Sequence, residues 1–212
     1  MTISLPDFEE LRENMVARQI VARGIKDQRV LQAMRDVRRH EFVNLASQPY
    51  AYDDRPLPIG LGQTISQPYI VAWMTELLAP TPSQHVLEIG TGCGYQTAVL
   101  AQLTRHVYSI ERIDDLSSQA ALNLNRAGIT NVSLAVGDGF EGWPAHAPYS
   151  CIIVTAAPPI VPPELLNQLG PGGRIVMPVG GAGAQQMVRI TRRADGSLHR
   201  EELGAVSFVP ML

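Results

Sequence analysis

The sequence has 212 residues, of which 45% are hydrophobic and 17% charged, a composition typical of one globular domain. A formal net charge of -3 and the lack of a lysine- or arginine-rich stripe argue against a nucleic-acid-binding protein. Two cysteines are too few for a disulfide framework, no apolar run approaches the roughly 18 residues of a membrane span, and the N-terminus lacks the features of a signal peptide. We therefore expect a cytoplasmic protein that binds neither nucleic acid nor membrane.

Two helices are predicted at the N-terminus. Residues 6–23 carry apolar side chains at helical spacing, with Asp7 available as the N-cap and Gly24 as the stop signal. Asp27 is expected to cap a second helix, which ends near Arg38-Arg39-His40. We interpret these three basic residues as a solvated helix end favoured by the macrodipole, rather than as a phosphate-binding cluster.

Residues 44–68 predict a long irregular loop, because they are rich in proline and show little periodicity. Loops of this length within a compact domain are commonly functional. Four apolar side chains indicate that the loop packs against the protein: Leu57, Ile59, Leu61 and Ile65. A helix over residues 69–78 is predicted to follow.

Residues 85–101 predict a strand, a glycine turn and the start of a helix. The apolar residues Val86, Leu87 and Ile89 are typical of a buried parallel strand. Three glycines follow it at alternate positions: Gly90, Gly92 and Gly94. This order of elements indicates a nucleotide-type ligand in a doubly wound α/β fold. Tyr95 stands where the dinucleotide fingerprint requires glycine, which argues against that class of cofactor.

The charges around the glycine turn favour a cationic ligand. No lysine or arginine occurs in residues 56–104, and Glu88 lies just before the turn, where a carboxylate would repel a pyrophosphate. The sulfonium and ammonium groups of S-adenosylmethionine fit these charges better. Glu111 ends the next predicted strand, about 20 residues beyond the glycines, where an acid can bind both ribose hydroxyls. We therefore predict an S-adenosylmethionine site, with a plain tight turn as the alternative.

The second half of the chain predicts further alternation of helices and strands. In chain order these are a helix over 114–127, strands over 132–136 and 150–156, a helix over 163–169, and strands over 174–179, 186–192 and 203–209. The last two strands are expected to be antiparallel. Asp138, between two glycines after a strand, is expected to accept from the adenine amino group, unless it only forms the turn.

Several stretches together resemble the protein-L-isoaspartate O-methyltransferase family: DDRPLPIGLGQTISQP, VLEIGTGCGYQTAVLA, GDG, IVMPVG and the terminal FVP. The resemblance extends over residues 15–210, and its most specific part precedes the glycine motif. It implies an α/β fold of the Rossmann-like class I S-adenosylmethionine-dependent methyltransferase type, a doubly wound, seven-stranded, mostly parallel sheet with extra N-terminal helices. We expect one domain over 1–212, with helices and a covering loop in 1–80 and the core in 84–212.

The resemblance also implies roles for individual residues. Ser66 matches the active-site residue. The cofactor positions, together with Glu88 from the charge argument, are Thr64, Ile65, Ser66, Glu88, Gly90, Gly92, Gly94, Glu111, Asp138 and Gly139. The substrate-binding walls are Pro58, Ile59, Gly60, Pro178 and Val179, with Gly180 beside them. The implied protein is a monomeric cytosolic repair enzyme that methylates L-isoaspartyl, and in the wider family D-aspartyl, residues of damaged proteins.

The implied chemistry requires little of the side chains. The nucleophile is an α-carboxylate with an ordinary pKa of about 3.3–3.9, so it is ionised near neutrality and needs no general base or metal. Ser66 is expected to orient a carboxylate oxygen or the cofactor, and the ester formed collapses to a succinimide. Two alternatives stay open: a methyltransferase acting on a small molecule or RNA, and a binding protein with a degenerate cofactor site.

Overall fold

The computed structural model describes residues 7–181 and 183–212. The predictions for residues 1–6, which include the start of the first helix and most of the stretch used to argue against a signal peptide, lie outside the described residues. The α-helices are α1 (Phe8–Asn14), α2 (Gln28–Asp36), α3 (Pro68–Leu78), α4 (Tyr95–Ala101), α5 (Asp114–Arg126) and α6 (Pro163–Asn167). The strands are β1 (Leu57–Gly60), β2 (Gln63–Ile65), β3 (His85–Ile89), β4 (His106–Glu111), β5 (Val132–Val136), β6 (Tyr149–Val154), β7 (Leu169–Val179), β8 (Gln185–Arg192) and β9 (Leu198–Val206).

One seven-stranded sheet organises the chain, in the order β5-β4-β3-β6-β7-β8-β9. The strands from β5 to β7 in this order are parallel, and β8 and β9 are antiparallel. The strand order reverses on the two sides of β3, and both neighbours of β3 are parallel to it. This arrangement confirms the predicted doubly wound, mostly parallel sheet. A crevice at the carboxyl ends of β3, β4 and β6 is where such sheets bind ligands.

Helices cover both faces of this sheet, because successive strand residues point to opposite sides. Val86 packs with side chains of α3 and α4 on one face, whereas Leu87 packs with Leu165 of α6 on the other. α5 lies against β4 and β5 at the edge. Within the ranges 7–181 and 183–212, none of the helices is long and apolar enough to cross a membrane.

The predicted helix over 6–23 is a succession of three helical forms. The Asp7 carboxylate accepts two backbone N–H groups of the first turn of α1, at 3.0 and 3.1 Å. A π-helical stretch (Met15–Ile20) and a 3₁₀ turn (Val21–Arg23) follow, and the chain turns at Gly24 with φ of 95°. The predicted cap and stop are confirmed. The prediction of one uniform helix is wrong, because the wider π turn brings three apolar residues of that stretch into the core.

The basic cluster after α2 is not a solvated helix end, and that prediction is wrong. α2 ends at Asp36, and Arg39 lies in a separate 3₁₀ turn. Its side chain is fully buried, and its Nε donates to the Ala51 carbonyl oxygen at 2.7 Å. Arg38 beside it is exposed, as expected. The difference arises because residues 51–52 fold back over the turn and enclose one of the three basic side chains.

Residues 44–68 contain regular structure that the sequence analysis did not predict. β1 and β2 form an antiparallel hairpin in which Leu57 pairs with Ile65, and both side chains are buried. The hairpin is short and its tip has three consecutive positive φ angles, from Gly60 to Gly62. Leu61 lies at this tip and is 56% exposed, so the expectation that it packs against the protein is wrong.

The C-terminal strands begin earlier than predicted, and the helix before them ends earlier. α6 is shorter than the predicted helix, and β7 starts at Leu169 instead of residue 174, with a register irregularity near its start. β9 covers Leu198–Val206, whereas residues 203–209 were expected. A bidentate pair between Arg189 and Glu201, at 2.8 and 2.9 Å, joins β8 to the unpredicted part of β9. The predicted antiparallel arrangement of the last two strands is confirmed.

Candidate active site

A cavity lies at the carboxyl ends of β3 and β4, with a volume of about 590 Å³ that includes space open to solvent. Its walls come from the glycine turn, the segments 110–113 and 155–156, the hairpin residues Gln63 and Thr64, and the C-terminal segment 209–212. Five of the predicted cofactor residues line it and are thus brought into one space: Thr64, Gly90, Gly92, Glu111 and Gly139. We call it the donor cavity.

Glycine is required at the first position of the turn. Gly90 has a φ of 95°, and a Cβ placed there would collide with the Thr155 hydroxyl. The Gly90 N–H donates to the Ile110 carbonyl oxygen at 2.8 Å, which fixes the turn against β4. Gly94 adopts a φ of 88° and directly precedes α4. Gly90 therefore lines the donor cavity without a side chain in the way, whereas Gly94 does not line it and lies against Leu124 of α5.

Glu111 places a nearly buried carboxylate at the edge of this cavity. Its side chain accepts the Gly92 N–H at 2.8 Å and the Ile113 N–H at 3.0 Å, one on each oxygen. Only 7% of the residue is exposed. Because each carboxylate oxygen can accept more than one hydrogen bond, the group retains capacity for two hydroxyl donors.

Glu88 does not reach the donor cavity, contrary to the charge argument. Its side chain is fully buried, and one oxygen accepts the hydroxyls of Thr97 at 2.5 Å and Ser109 at 2.6 Å. Burial raises the pKa of Glu88 to about 7, more than the two hydroxyls lower it. The strand alternation explains the difference, because Glu88 points from β3 toward α4, behind the glycine turn.

Of the neighbouring residues Asp138 and Gly139, the second lines the donor cavity and the first does not. Gly139 lines the donor cavity, where a Cβ would collide with Ile89. Asp138 is not among the lining residues; its carboxylate accepts the Phe140 N–H at 2.9 Å and pairs with Arg112 at 3.3 Å. The turn-forming alternative for Asp138 is therefore present, and its contact with adenine stays a prediction.

A second, larger groove adjoins the first, with a volume of about 1130 Å³ that includes space open to solvent. Its walls come from the loop before α3, from α3 itself, from the residue after β6, and from the end of β9 with the segment that follows: Pro56, Thr64, Ser66, Gln67, Ile70, Thr155 and residues 205–209. None of the described residues that line it carries a formal charge, and its polar groups are mainly hydroxyls. We call it the acceptor cavity.

Thr64, Thr155 and Val209 line both cavities. Thr155 is held there by hydrogen bonds from its hydroxyl to the carbonyl oxygens of Ile89 at 3.0 Å and Gly90 at 2.7 Å. The sequence analysis did not single out Thr155, although a polar residue directly after a buried parallel strand is a recognisable signal. Groups bound in the two cavities would meet beside these threonines.

The C-terminal segment forms a wall through backbone pairing. The Ala157 N–H donates to the Val209 carbonyl oxygen at 2.8 Å, and the Met211 N–H donates to the Ala157 carbonyl oxygen at 2.9 Å. Met211 also lies over Gly139, where an added Cβ would approach its Cε within 2.9 Å. The segment is therefore seated across the donor cavity, a role that the sequence analysis did not assign to it.

Comparison with known proteins identifies the family. The family model described as protein-L-isoaspartate(D-aspartate) O-methyltransferase matches residues 10–212. The chain belongs to this family. A protein-L-isoaspartate O-methyltransferase of Methanoculleus marisnigri is 54% identical over 95% of this chain and 91% of its own length, and one of Halorhodospira halophila is 56% identical over 91% and 88%.

Solved structures of protein-L-isoaspartate O-methyltransferases share the fold. A Plasmodium falciparum protein assigned to this activity, in complex with S-adenosyl-L-homocysteine, aligns with a TM-score of 0.83 at 23% identity, covering 98% of this chain and 99% of its own. A second structure carrying the family's name has a TM-score of 0.83 at 29% identity and covers 96% of this chain and 65% of its own.

The residues implied by the O-methyltransferase family differ in how close they lie to the cavities. Thr64 and Ser66 line the acceptor cavity, whereas Ile65 is buried beneath them. Pro58 and Gly60 are exposed on the hairpin, and Ile59 packs 3.3 Å from the Cβ position of Gly92.

Pro178 and Val179 are buried in β7 and pair with β8, so the structure does not bring this second predicted substrate wall to the groove. Of the described residues, no group of three or more His, Cys, Asp and Glu side chains could hold a metal ion.

Proposed function

We propose that this protein transfers the methyl group of S-adenosylmethionine to the free α-carboxylate of L-isoaspartyl residues in proteins and peptides. The observation that carries the proposal is the junction of the donor and acceptor cavities at Thr64 and Thr155, in a chain of the O-methyltransferase family. Methyl transfer between two bound groups requires such a junction.

The backbone access and the charges of the donor cavity suit S-adenosylmethionine. Backbone at Gly90 and Gly92 leaves room for close approach, and the Glu111 carboxylate offers two oxygens to ribose hydroxyls. Among the described residues that line the cavity, Arg112 alone is basic, and it is paired with Asp138. When bound, the cofactor supplies an electrophilic methyl group carried on a sulfonium.

The acceptor cavity suits a carboxylate nucleophile that needs no base. An α-carboxylate has a pKa of about 3.3–3.9 and is ionised at neutral pH. The hydroxyls of Thr64 and Ser66 can donate to its oxygens and set their direction. Holding well-oriented reactants can remove on the order of 7–11 kcal/mol of a barrier, and we assign this orienting role to Ser66.

The product chemistry follows from the substrate. The methyl ester is attacked by the neighbouring main-chain nitrogen, methanol leaves, and a succinimide forms without further help from the protein. Hydrolysis of the succinimide returns part of the chain to a normal aspartyl linkage. The predictions that the protein acts in the cytoplasm, as a monomer, and without a nucleic-acid partner remain predictions.

Labelled S-adenosylmethionine and a matched peptide pair test the proposal. Two peptides should differ only in one isoaspartyl or aspartyl linkage, with a D-aspartyl peptide as a third member. We expect base-labile label on the isoaspartyl peptide and none on the aspartyl peptide. Cofactor binding without label on any peptide would contradict the substrate assignment, and absence of cofactor binding would contradict the proposal as a whole.

Ser66→Ala is the first variant to measure in the same assay. Since Ser66 orients and does not form a covalent bond, we expect kcat to fall by about ten- to a hundredfold and the affinity for S-adenosyl-L-homocysteine to change little. A variant with unchanged kcat would show that Ser66 has no part in orienting the carboxylate.

A further inference from the structure

Gln67 occupies a distinctive place in the acceptor cavity. It follows Ser66, lines the cavity wall, and is the last residue before α3. The Gln67 carbonyl oxygen accepts the Val71 N–H at 3.2 Å, which anchors its backbone to the helix. Its side-chain amide is therefore presented to the acceptor groove from a rigid position.

The orientation of this amide is fixed by two partners that can only accept. Nε2 of Gln67 lies 3.1 Å from the Asp54 carbonyl oxygen and 2.7 Å from Asp54 Oδ1. The nitrogen must face these oxygens, because the amide oxygen in its place would meet two other acceptors. In the part of the chain that the structure describes, no group donates to Gln67 Oε1. The amide oxygen is thus available to accept a hydrogen bond from a ligand.

Asp54 is itself held in place. Arg23 Nη2 lies 2.7 Å from Asp54 Oδ2, and Nη1 lies 3.4 Å from Oδ1. The Arg23 guanidinium also lies over the ring of Tyr69, 4.7 Å from its centroid, in the first turn of α3. The helical N-terminus, the loop and α3 therefore converge on the residue that orients Gln67.

We propose that Gln67 is a specificity-determining residue whose Oε1 accepts a hydrogen bond from a main-chain N–H of the acceptor peptide, with Asp54 and Arg23 as the positioning pair. The inference rests on the proposed function and adds a subsite to it. An amide oxygen accepts only, so it repels a carboxylate or carbonyl at this place. The hydroxyls of Thr64 and Ser66 can donate to the carboxylate. A peptide is thus bound with its N–H at Gln67 and its α-carboxylate at the hydroxyls.

Gln67→Ala tests this role in steady-state kinetics. A neutral hydrogen bond lost from the bound peptide should raise KM for the isoaspartyl peptide about five- to tenfold, with kcat within about twofold of wild type. Affinity for S-adenosyl-L-homocysteine should not change. Gln32→Ala is the matched control, because Gln32 is exposed on α2 and bonded only to Asp36.

A series of peptides N-methylated at one amide each identifies the partner. With the wild-type protein, one N-methyl position should raise KM about as much as Gln67→Ala does, and in the Gln67→Ala protein that same change should have no further effect. Asp54→Ala should reproduce part of the KM increase, because the amide then loses its fixed orientation.

The outcomes of these experiments distinguish the role of Gln67 from the proposed function on which it rests. If the wild type is active, an unchanged KM in Gln67→Ala would overturn the role of Gln67 alone. The same conclusion would follow if the effect of N-methylation simply added to that of Gln67→Ala at every peptide position. A parallel loss of S-adenosyl-L-homocysteine affinity would show that Gln67 supports the fold rather than the peptide. A wild type that methylates no isoaspartyl peptide would overturn the proposed function and this inference with it.

Discussion

The guanidinium of Arg39 lies over the ring of Tyr95, with its central carbon 4.9 Å from the ring centroid. Both side chains are almost completely buried, and no carboxylate pairs with the arginine among the described residues. Nε of Arg39 donates a hydrogen bond to the Ala51 carbonyl oxygen, whereas neither Nη1 nor Nη2 has a hydrogen-bond partner in the described chain. Arg39 thus links the N-terminal helices, the long loop and the first residue of α4.

Arg39→Lys should destabilise the protein by about 2–4 kcal/mol. Lysine lacks the planar group that stacks on Tyr95 and is more strongly hydrated, so its burial costs more. Arg38→Lys is the matched control, since the Arg38 side chain is 64% exposed and should change stability by less than about 0.5 kcal/mol. Urea unfolding of both variants measures the difference. Equal stability of the two would contradict a structural role for Arg39.

Gly90→Ala should both destabilise the fold and weaken cofactor binding. An alanine there meets a strained φ of 95° and the Thr155 hydroxyl. Gly24 has the same φ with nothing within 4 Å of the Cβ position, so Gly24→Ala isolates the backbone strain, about 1–2 kcal/mol.

Gly90→Ala should cost at least about 1 kcal/mol more than this control. Adding Thr155→Ala to it should restore part of the stability, and the absence of any rescue would rule out the collision as the cause. Thermal unfolding and titration with S-adenosyl-L-homocysteine provide both readouts.

Glu88→Gln should remove a pH dependence of stability. Burial raises the pKa of Glu88 from 4.5 to about 7 in the folded protein, so the folded state favours the protonated carboxyl. Protonated Glu88 therefore contributes fully to the free energy of unfolding below about pH 4.5, and this contribution is lost as the pH rises to about 7.

The wild type should therefore lose about 3 kcal/mol relative to Glu88→Gln between about pH 4.5 and pH 8. Urea unfolding across this range measures the loss. Parallel stability curves for the two proteins would show that folding does not raise the pKa of Glu88.

The rate of methyl transfer should depend little on pH. The described residues that line the acceptor cavity have no titratable acid, base or histidine, and the nucleophile is ionised above about pH 5. With both substrates saturating, kcat should vary less than about twofold between about pH 6 and pH 9. A bell-shaped profile would instead indicate general acid–base catalysis by a residue outside this wall.

The sequence predicted the fold well because the glycine turn is flanked by strongly patterned elements. The apolar residues of β3, the three glycines and the acid at the end of β4 each follow from local chemistry. Gly90, Gly92 and Glu111 line the donor cavity, whereas Gly94 and Glu88 do not. The prediction that Glu88 faces the cofactor was wrong because both faces of β3 are buried. Sequence spacing then does not reveal toward which face a side chain points.

The acceptor cavity was harder to predict. Its walls come from residues 56–70, 155 and 205–209, which are distant in sequence and meet only through the sheet order. The hairpin was missed because its strands are short and rich in proline and glycine. The burial of Arg39 was missed for a related reason, since it depends on a loop residue twelve positions away.

The wall formed by residues 209–212 has a thermodynamic consequence. Val209 faces both cavities, and the segment is held to Ala157 by only two backbone hydrogen bonds. A ligand in the donor cavity that orders this segment also completes part of the neighbouring wall. Linkage then requires that the peptide raise the affinity for the cofactor by the same factor as the cofactor raises the affinity for the peptide.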